Sequence, residues 1–196
     1  VVTNKETYET RALILSCGAS WRKLGIEGES NLMGRGVSYC ATCDGPFYRD
    51  QPVAVVGGGD TAVEESLFLT RFASKVYMIH RRDELRASKI MAQRAIDHEG
   101  IEILWNKVPV AYETDEAGKM QAIKLQDTQS GEESRLEIKG VFMAIGHTPN
   151  TDFLKETGVT LDGAGYIEVE GGCRTNIEGL FAAGDVRDTT YRQAVT

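Results

Sequence analysis

Val53-Ala54-Val55-Val56-Gly57-Gly58-Gly59-Asp60-Thr61-Ala62-Val63 sets the architecture of this chain. Its first four residues form an uninterrupted apolar run, the pattern of a parallel strand covered on both faces. Three glycines then turn the chain. From Asp60 to Phe72 the apolar residues Ala62, Val63, Leu67, Phe68 and Phe72 recur with helix-like spacing. A second apolar strand, Val76-Tyr77-Met78-Ile79, completes a βαβ unit. Within it, residues 57–62 fit the pattern G-x-G-x-x-A. Gly57 permits the tight turn, Gly59 lets the backbone approach a pyrophosphate, and Ala62 permits close packing of helix on strand. The helix N-terminus at Asp60 and Thr61 offers free N–H groups and a positive dipole end to the anion. Three glycines alone make only a turn. The strand before, the helix after and the second strand on schedule mark a dinucleotide site.

The residues that close the second strand select the dinucleotide. An acidic residue there would bind a ribose 2′-hydroxyl. This chain has His80-Arg81-Arg82, with Arg86 one helical turn beyond. Guanidinium groups beside the ribose suit a 2′-phosphate through charge-assisted, often bidentate bonds. A solvated basic surface is the bland alternative, but the run falls where the fold puts the 2′ position, which favours NADPH. Asp83 and Glu84 come after the arginines and read as N-terminal residues of a helix over about Leu85 to His98.

Further along, Val108–Glu113, Met120–Gln126 and Arg135–Ile138 are strand-like runs separated by two polar turns, a β-meander. Ile101–Trp105 is a further short run of this kind. Val141 to Ile145 returns to the buried parallel type, and Gly146 to Asn150 marks a domain crossing. Tyr166–Val169 and Leu180–Asp185 are expected strands of the tail. Upstream, Ala12–Leu15 reads as a buried strand closed by Cys17-Gly18-Ala19.

Between these parts lies Cys40-Ala41-Thr42-Cys43-Asp44. Two cysteines at C-x-x-C spacing can close a small disulfide and reopen it, one thiolate attacking an external disulfide and the other resolving the mixed disulfide. Zinc would need two more ligands. There is no second C-x-x-C, and His80, His98 and His147 are scattered, so redox is the better reading. Asp44 is open to two readings at this point: a carboxyl that moves the proton of each half-reaction, or a turn residue before Gly45-Pro46. Cys17 and Cys173 read as a packed thiol and a loop thiol.

Composition bounds the alternatives. A net charge of −7 argues against a nucleic-acid or membrane-surface binder, and no apolar run approaches a membrane span. Four cysteines in 196 residues are too few for a disulfide-stapled secreted scaffold and fit a cytoplasmic chain. No apolar signal segment follows Val1, there is no initiator Met, and no terminal element closes Ala194-Val195-Thr196; both ends are expected to be cuts.

Taken in order, Gly34–Gly45, Gly57–Glu65, His80–Ser88, Ala144–Thr151 and Gly179–Thr196 make the chain resemble the low-molecular-weight, bacterial-type thioredoxin reductases along essentially its whole length. The resemblance implies an α/β fold of the two-dinucleotide-binding-domain flavoprotein kind, with a Rossmann-like parallel sheet, a β-meander and helices in each domain. It implies an FAD-binding part at 1–20, an NADPH-binding domain with the redox dithiol at 21–147, and a second FAD-binding part at 148–196, the FAD domain being incomplete. It places Ile145 and Gly146 beside NADPH. Gly184, Asp185 and Val186 would lie at FAD near its ribityl–diphosphate, and Arg192, Gln193 and Ala194 near its isoalloxazine. The Cys43 position faces the flavin, the Cys40 position attacks thioredoxin, and Asp44 matches the proton donor. In such enzymes electrons pass from NADPH to FAD, to the dithiol and to thioredoxin, the NADPH domain rotating between half-reactions, in a cytoplasmic homodimer.

The glycine-rich motif that seats the FAD pyrophosphate in these enzymes would precede Val1, so the 196 residues alone are expected to bind NADPH but to hold FAD poorly and not to reduce thioredoxin. Cys17 stands where relatives usually carry Thr. The flavoprotein of alkyl hydroperoxide reductase shares the C-x-x-C and glycine motifs but lacks the His-Arg-Arg signature. Ferredoxin- or flavodoxin-type NADP flavoenzymes lack the C-x-x-C. An NADPH-binding module without activity of its own is the rival of a different class.

Overall fold

The computed structural model describes residues 1–191. The chain divides into two compact units, Val1–Trp21 with His147–Thr196, and Arg22–Gly146. The first unit begins with β1 (Leu13–Leu15) and β2 (Ala19–Trp21). The second runs through β3 (Val37–Ser38), α1 (Ala41–Asp44), β4 (Pro52–Gly57), α2 (Asp60–Leu69), β5 (Lys75–Ile79), α3 (Lys89–Ile96) and β6 (Ile101–Leu104). It continues through β7 (Lys107–Thr114), β8 (Met120–Asp127), β9 (Glu133–Glu137) and β10 (Gly140–Ala144). β11 (His147–Pro149) and β12 (Leu180–Ala182) return to the first unit.

The second unit is built on a five-stranded sheet of order β3-β10-β4-β5-β6, every neighbouring pair parallel. The continuous apolar run of β4 is explained by what covers its two faces. Val53 and Val55 pack with Ala62, Val63 and Leu69 of α2 and Ala95 of α3. Ala54 and Val56 pack with Met120, Ile123 and Leu125 of β8 in the antiparallel β7-β8-β9 meander. Alternate residues of one strand thus meet helices and meander. The Ile101 run joins the parallel sheet as its edge strand, β6.

The Leu85–His98 helix is shorter than its sequence pattern. The Arg86 and Ala87 N–H groups both donate to Gly58 O, at 2.6 and 3.0 Å. Backbone donors spent on the glycine turn are not available to a helical turn, and α3 starts only at Lys89. Asp83 and Glu84 are therefore loop residues, and Arg86 is not a helical turn from Arg82.

In the first unit β1 pairs in parallel with β12, and β2 pairs antiparallel with β11. Leu15, Cys17 and Leu180 pack against a small cluster of Leu154, Val159, Ile167, Ala182 and Val186. β1 is covered on one side only: Ile14 is 65% exposed, against the expectation of a buried strand. Tyr166–Val169 is held by an isolated bridge, Leu161 to Ile167, and not by a ladder, because Gly165 and the Asp162 turn bend the chain back within a few residues. Among the described residues no helix is long and apolar enough to cross a membrane.

Candidate dinucleotide and dithiol site

In a parallel sheet all carboxyl ends lie along one edge, where α/β proteins bind ligands. Here that edge carries four features in strand order. After β3 come Tyr39 and Cys40; after β10, Ile145 and Gly146; after β4, Gly58 and Gly59; after β5, His80, Arg81 and Arg82. At about 4.8 Å per strand, the dithiol end and the arginine end stand about 14 Å apart.

The glycine loop is explained residue by residue. A Cβ on Gly57 would meet Ala144 O at 2.5 Å and the Ala62 Cβ at 2.8 Å, so Gly57 is what lets β10, β4 and α2 converge. A Cβ on Gly58 would run into the His80 ring. Gly59 is different: a Cβ there meets no protein atom within 4 Å. Among the described residues no packing demands glycine at Gly59, and the space is open for a pyrophosphate to approach. The first N–H groups of α2, from Asp60, Thr61 and Ala62, have no partner inside the helix and face the same space. The Asp60 carboxylate accepts the Ser88 N–H at 2.9 Å, fastening the arginine loop to the start of α2.

His80 is buried beneath the loop, its Nε2 2.9 Å from Glu84 O and its ring edge-on to Trp105. Burial lowers its pKa, and the Arg81 and Arg82 charges add to that, outweighing its carbonyl partners at Glu84 and Gly57. A neutral imidazole results near neutral pH. It is the pedestal of the site. Arg81, Arg82 and Arg86 are exposed and make no ion pair among the described residues. Three guanidinium groups without carboxylate partners suit a phosphate dianion.

At the other end of the edge Cys40 and Cys43 are joined as a disulfide, with Cα atoms 5.3 Å apart. Cys40 is the N-cap of α1, and its sulfur accepts the Cys43 N–H at 3.2 Å. Cys43 is exposed and Cys40 half-buried. Asp44 is half-buried, and its Oδ2 accepts the Ser38 hydroxyl at 2.7 Å. Cys17 and Cys173 are free; Cys17 donates to Asn150 O at 3.3 Å. Among the described residues no cluster of His, Cys, Asp or Glu could hold a metal.

Three residues escaped the sequence reading. Ser38 is one. Glu29 is a second: it is buried and accepts Tyr39 OH at 2.8 Å with the Leu24 and Gly25 N–H groups, fixing the residue before Cys40. Glu65 of α2 is the third. It takes a hydrogen bond from the Ala41 N–H next to Cys40, while its other oxygen is buried without a partner among the described residues. Burial, with the Glu64 charge adding to it, pushes its pKa up to about 7 against that hydrogen bond. Its signal was readable: three residues after Ala62 and four before Leu69, it borders the buried stripe of α2.

In the first unit, Gly184–Val186 form a single 3₁₀ turn after β12, and Gly184 has a φ of 76°. The Nε of Arg187 next to it is buried with no partner among the described residues, a donor suited to an anionic group. Arg192, Gln193 and Ala194 lie outside the described residues.

A parallel α/β domain with a glycine turn, unpaired arginines and a C-x-x-C disulfide on one edge defines a nucleotide-dependent disulfide oxidoreductase class. The whole chain, residues 1–196, matches the pyridine nucleotide-disulphide oxidoreductases, and it belongs to that family. It is similar to a thioredoxin reductase of Mycolicibacterium smegmatis, with 53% identity over all of this chain and 62% of that protein. A thioredoxin reductase of Bacillus subtilis is 48% identical over all of this chain and 61% of that protein. The crystal structure of thioredoxin reductase from Streptococcus pyogenes superposes with a TM-score of 0.88 at 41% identity, covering 98% of this chain and 62% of that one. The chain thus spans about three-fifths of these relatives' length.

Proposed function

We propose that the protein works as a thioredoxin-disulfide reductase: NADPH, a proton and the disulfide of thioredoxin become NADP⁺ and the dithiol, by way of FAD and the Cys40–Cys43 pair. The observation that carries this reading is the shared edge, with a reducible disulfide at β3 and a nucleotide loop at β4 in one sheet. Arg22–Gly146 is the NADPH-binding domain, and Val1–Trp21 with His147–Thr196 contributes to the FAD-binding domain. NADPH is held by Gly57, Gly59, Asp60, Thr61 and Ala62 at the pyrophosphate, by Arg81, Arg82 and Arg86 at the 2′-phosphate, with His80 beneath them and Ile145 and Gly146 along the chain of the cofactor. FAD is held by Gly184, Asp185 and Val186, and when bound it supplies the two-electron relay between nicotinamide and disulfide.

The chain's own thiols do the rest. Two electrons break the Cys40–Cys43 bond and two protons complete the dithiol, with Asp44 as proton relay. Cys40 Sγ then attacks the thioredoxin disulfide, releasing one thioredoxin thiol. Cys43 Sγ displaces the second, which reforms the Cys40–Cys43 bond. Both free cysteines fit a reducing cytoplasm. The protein acts as a homodimer, as the resemblance implies.

Thioredoxin reduction followed by NADPH oxidation, in protein shown by its flavin absorbance to carry FAD, tests the reading. Turnover should require NADPH over NADH and vanish in Cys40→Ser and in Cys43→Ser. Persistent turnover in either variant defeats it.

A further inference from the structure

Ser38 ends β3 and is 3% exposed. Its Oγ accepts the Cys40 N–H at 3.1 Å, and lies 2.7 Å from Asp44 Oδ2 and 3.3 Å from Cys40 O. A hydroxyl owns one hydrogen and two acceptor positions. That hydrogen has two possible destinations here, and they correspond to the two states of the neighbouring carboxyl. With Asp44 ionised, Ser38 donates across the short contact to Oδ2. With Asp44 protonated, the Asp44 O–H donates to Ser38 Oγ, and the Ser38 hydrogen turns to the Cys40 carbonyl.

We propose that Ser38 is a positioning residue that holds Asp44 against the Cys40 backbone in both protonation states, its hydroxyl hydrogen alternating between Asp44 Oδ2 and Cys40 O. The inference rests on the proton-relay role given to Asp44. A fixed N–H donor in the same place would favour only the carboxylate and resist its protonation. The hydroxyl serves both forms, so the carboxyl stays in register with the dithiol while its proton comes and goes. The other groups facing this site are Tyr48, Glu65, and the two thiols. Tyr48 is raised by burial and by the Asp44 charge and stays neutral through the working range. Glu65 meets the site through the Ala41 N–H.

The test follows the reduced chain reacting with the chromogenic disulfide DTNB as pH varies, an assay that needs no NADPH, flavin or thioredoxin. Ser38→Ala should slow exchange about tenfold and change its pH profile in the direction that Asp44→Asn changes it. Ser38→Thr, which keeps the hydroxyl, should restore it. In an Asp44→Asn background, Ser38→Ala should add less than about a twofold loss. An equal loss with and without Asp44, or an unchanged pH profile in Ser38→Ala, overturns the proposal. If Ser38→Ala does not fold, NMR of the wild-type chain decides. The Ser38 Cβ resonance should titrate with the Asp44 carboxyl carbon, and a flat Ser38 resonance overturns the proposal. The underlying reading fails separately: an inert Asp44→Asn removes the proton relay, and a wild type that exchanges normally yet cannot reduce thioredoxin removes the thioredoxin activity.

Discussion

The two units contrast in how their strands are covered. In the second, β4 and β10 lie between helices on one face and a meander on the other, and Phe142 of β10 is 0% exposed. In the first, β1 and β12 form a two-stranded sheet with a small cluster on one face, and Ile14 of β1 is 65% exposed. The second unit therefore has the greater capacity to hold groups at fixed spacing, and the Cys40–Cys43 disulfide and the glycine loop are both attached to it.

Truncation at matched strand positions should show the contrast most strongly. Phe142→Ala removes a ring that also packs edge-on to Tyr48, and should cost about 4 kcal/mol in denaturant unfolding. Ile14→Ala should change stability by less than about 0.5 kcal/mol. Equal losses would break the comparison.

Glu65 gives a pH-dependent version. Its folded pKa of about 7 lies above the ordinary 4.5, so the folded state binds the extra proton. The stability linked to that proton is fully present below 4.5 and is lost as pH rises through about 7. Glu65→Gln should flatten this decline and leave the variant about 2 kcal/mol more stable than wild type in mildly alkaline solution. Urea melts across the pH range measure it, and parallel curves for the two proteins would refute the linkage.

Within the glycine loop, Gly58→Ala must displace the His80 ring and should cost about 2 kcal/mol, together with nucleotide binding. Gly163→Ala in the first unit, where a Cβ meets open space at an ordinary φ, should be near neutral. Gly59→Ala sharpens the pair: the fold should keep its melting temperature while calorimetry finds weaker NADPH binding.

The smallest effect concerns charge. Arg82→Ala should weaken NADPH binding about tenfold and leave NADH binding nearly unchanged. Arg174→Ala, an exposed arginine of the first unit, should alter neither. Equal loss of both cofactors in Arg82→Ala would make this arginine a structural one.

What could be read in the sequence follows the same divide. β4, α2 and β5 were legible because a doubly covered strand writes itself as an unbroken apolar run and a packed helix as helical periodicity, and the meander because two polar turns separate its strand-like runs. The start of α3 was not, because the Arg86 and Ala87 N–H groups go to Gly58 O, a long-range use of the backbone that no local pattern announces. Tyr166–Val169 read as a strand bounded by glycines, but the tight return at Gly165 leaves it no ladder. At the site, residue types declared Cys40, Cys43, the glycines and the arginines. Ser38 and Glu29 carry no signal in their residue types: one ends a strand and the other opens a short 3₁₀ turn, Glu29–Leu32.

The order β3-β10-β4-β5 makes the sheet edge a ruler with fixed graduations. The exposed arginines after β5 hang from one mark and the Cys40–Cys43 disulfide after β3 from another, with two strands between. On the function proposed above, mutational drift at the arginine mark would alter which cofactor is preferred while leaving the thiol end untouched. Such a chain can acquire a new electron source in a few substitutions without relearning its chemistry.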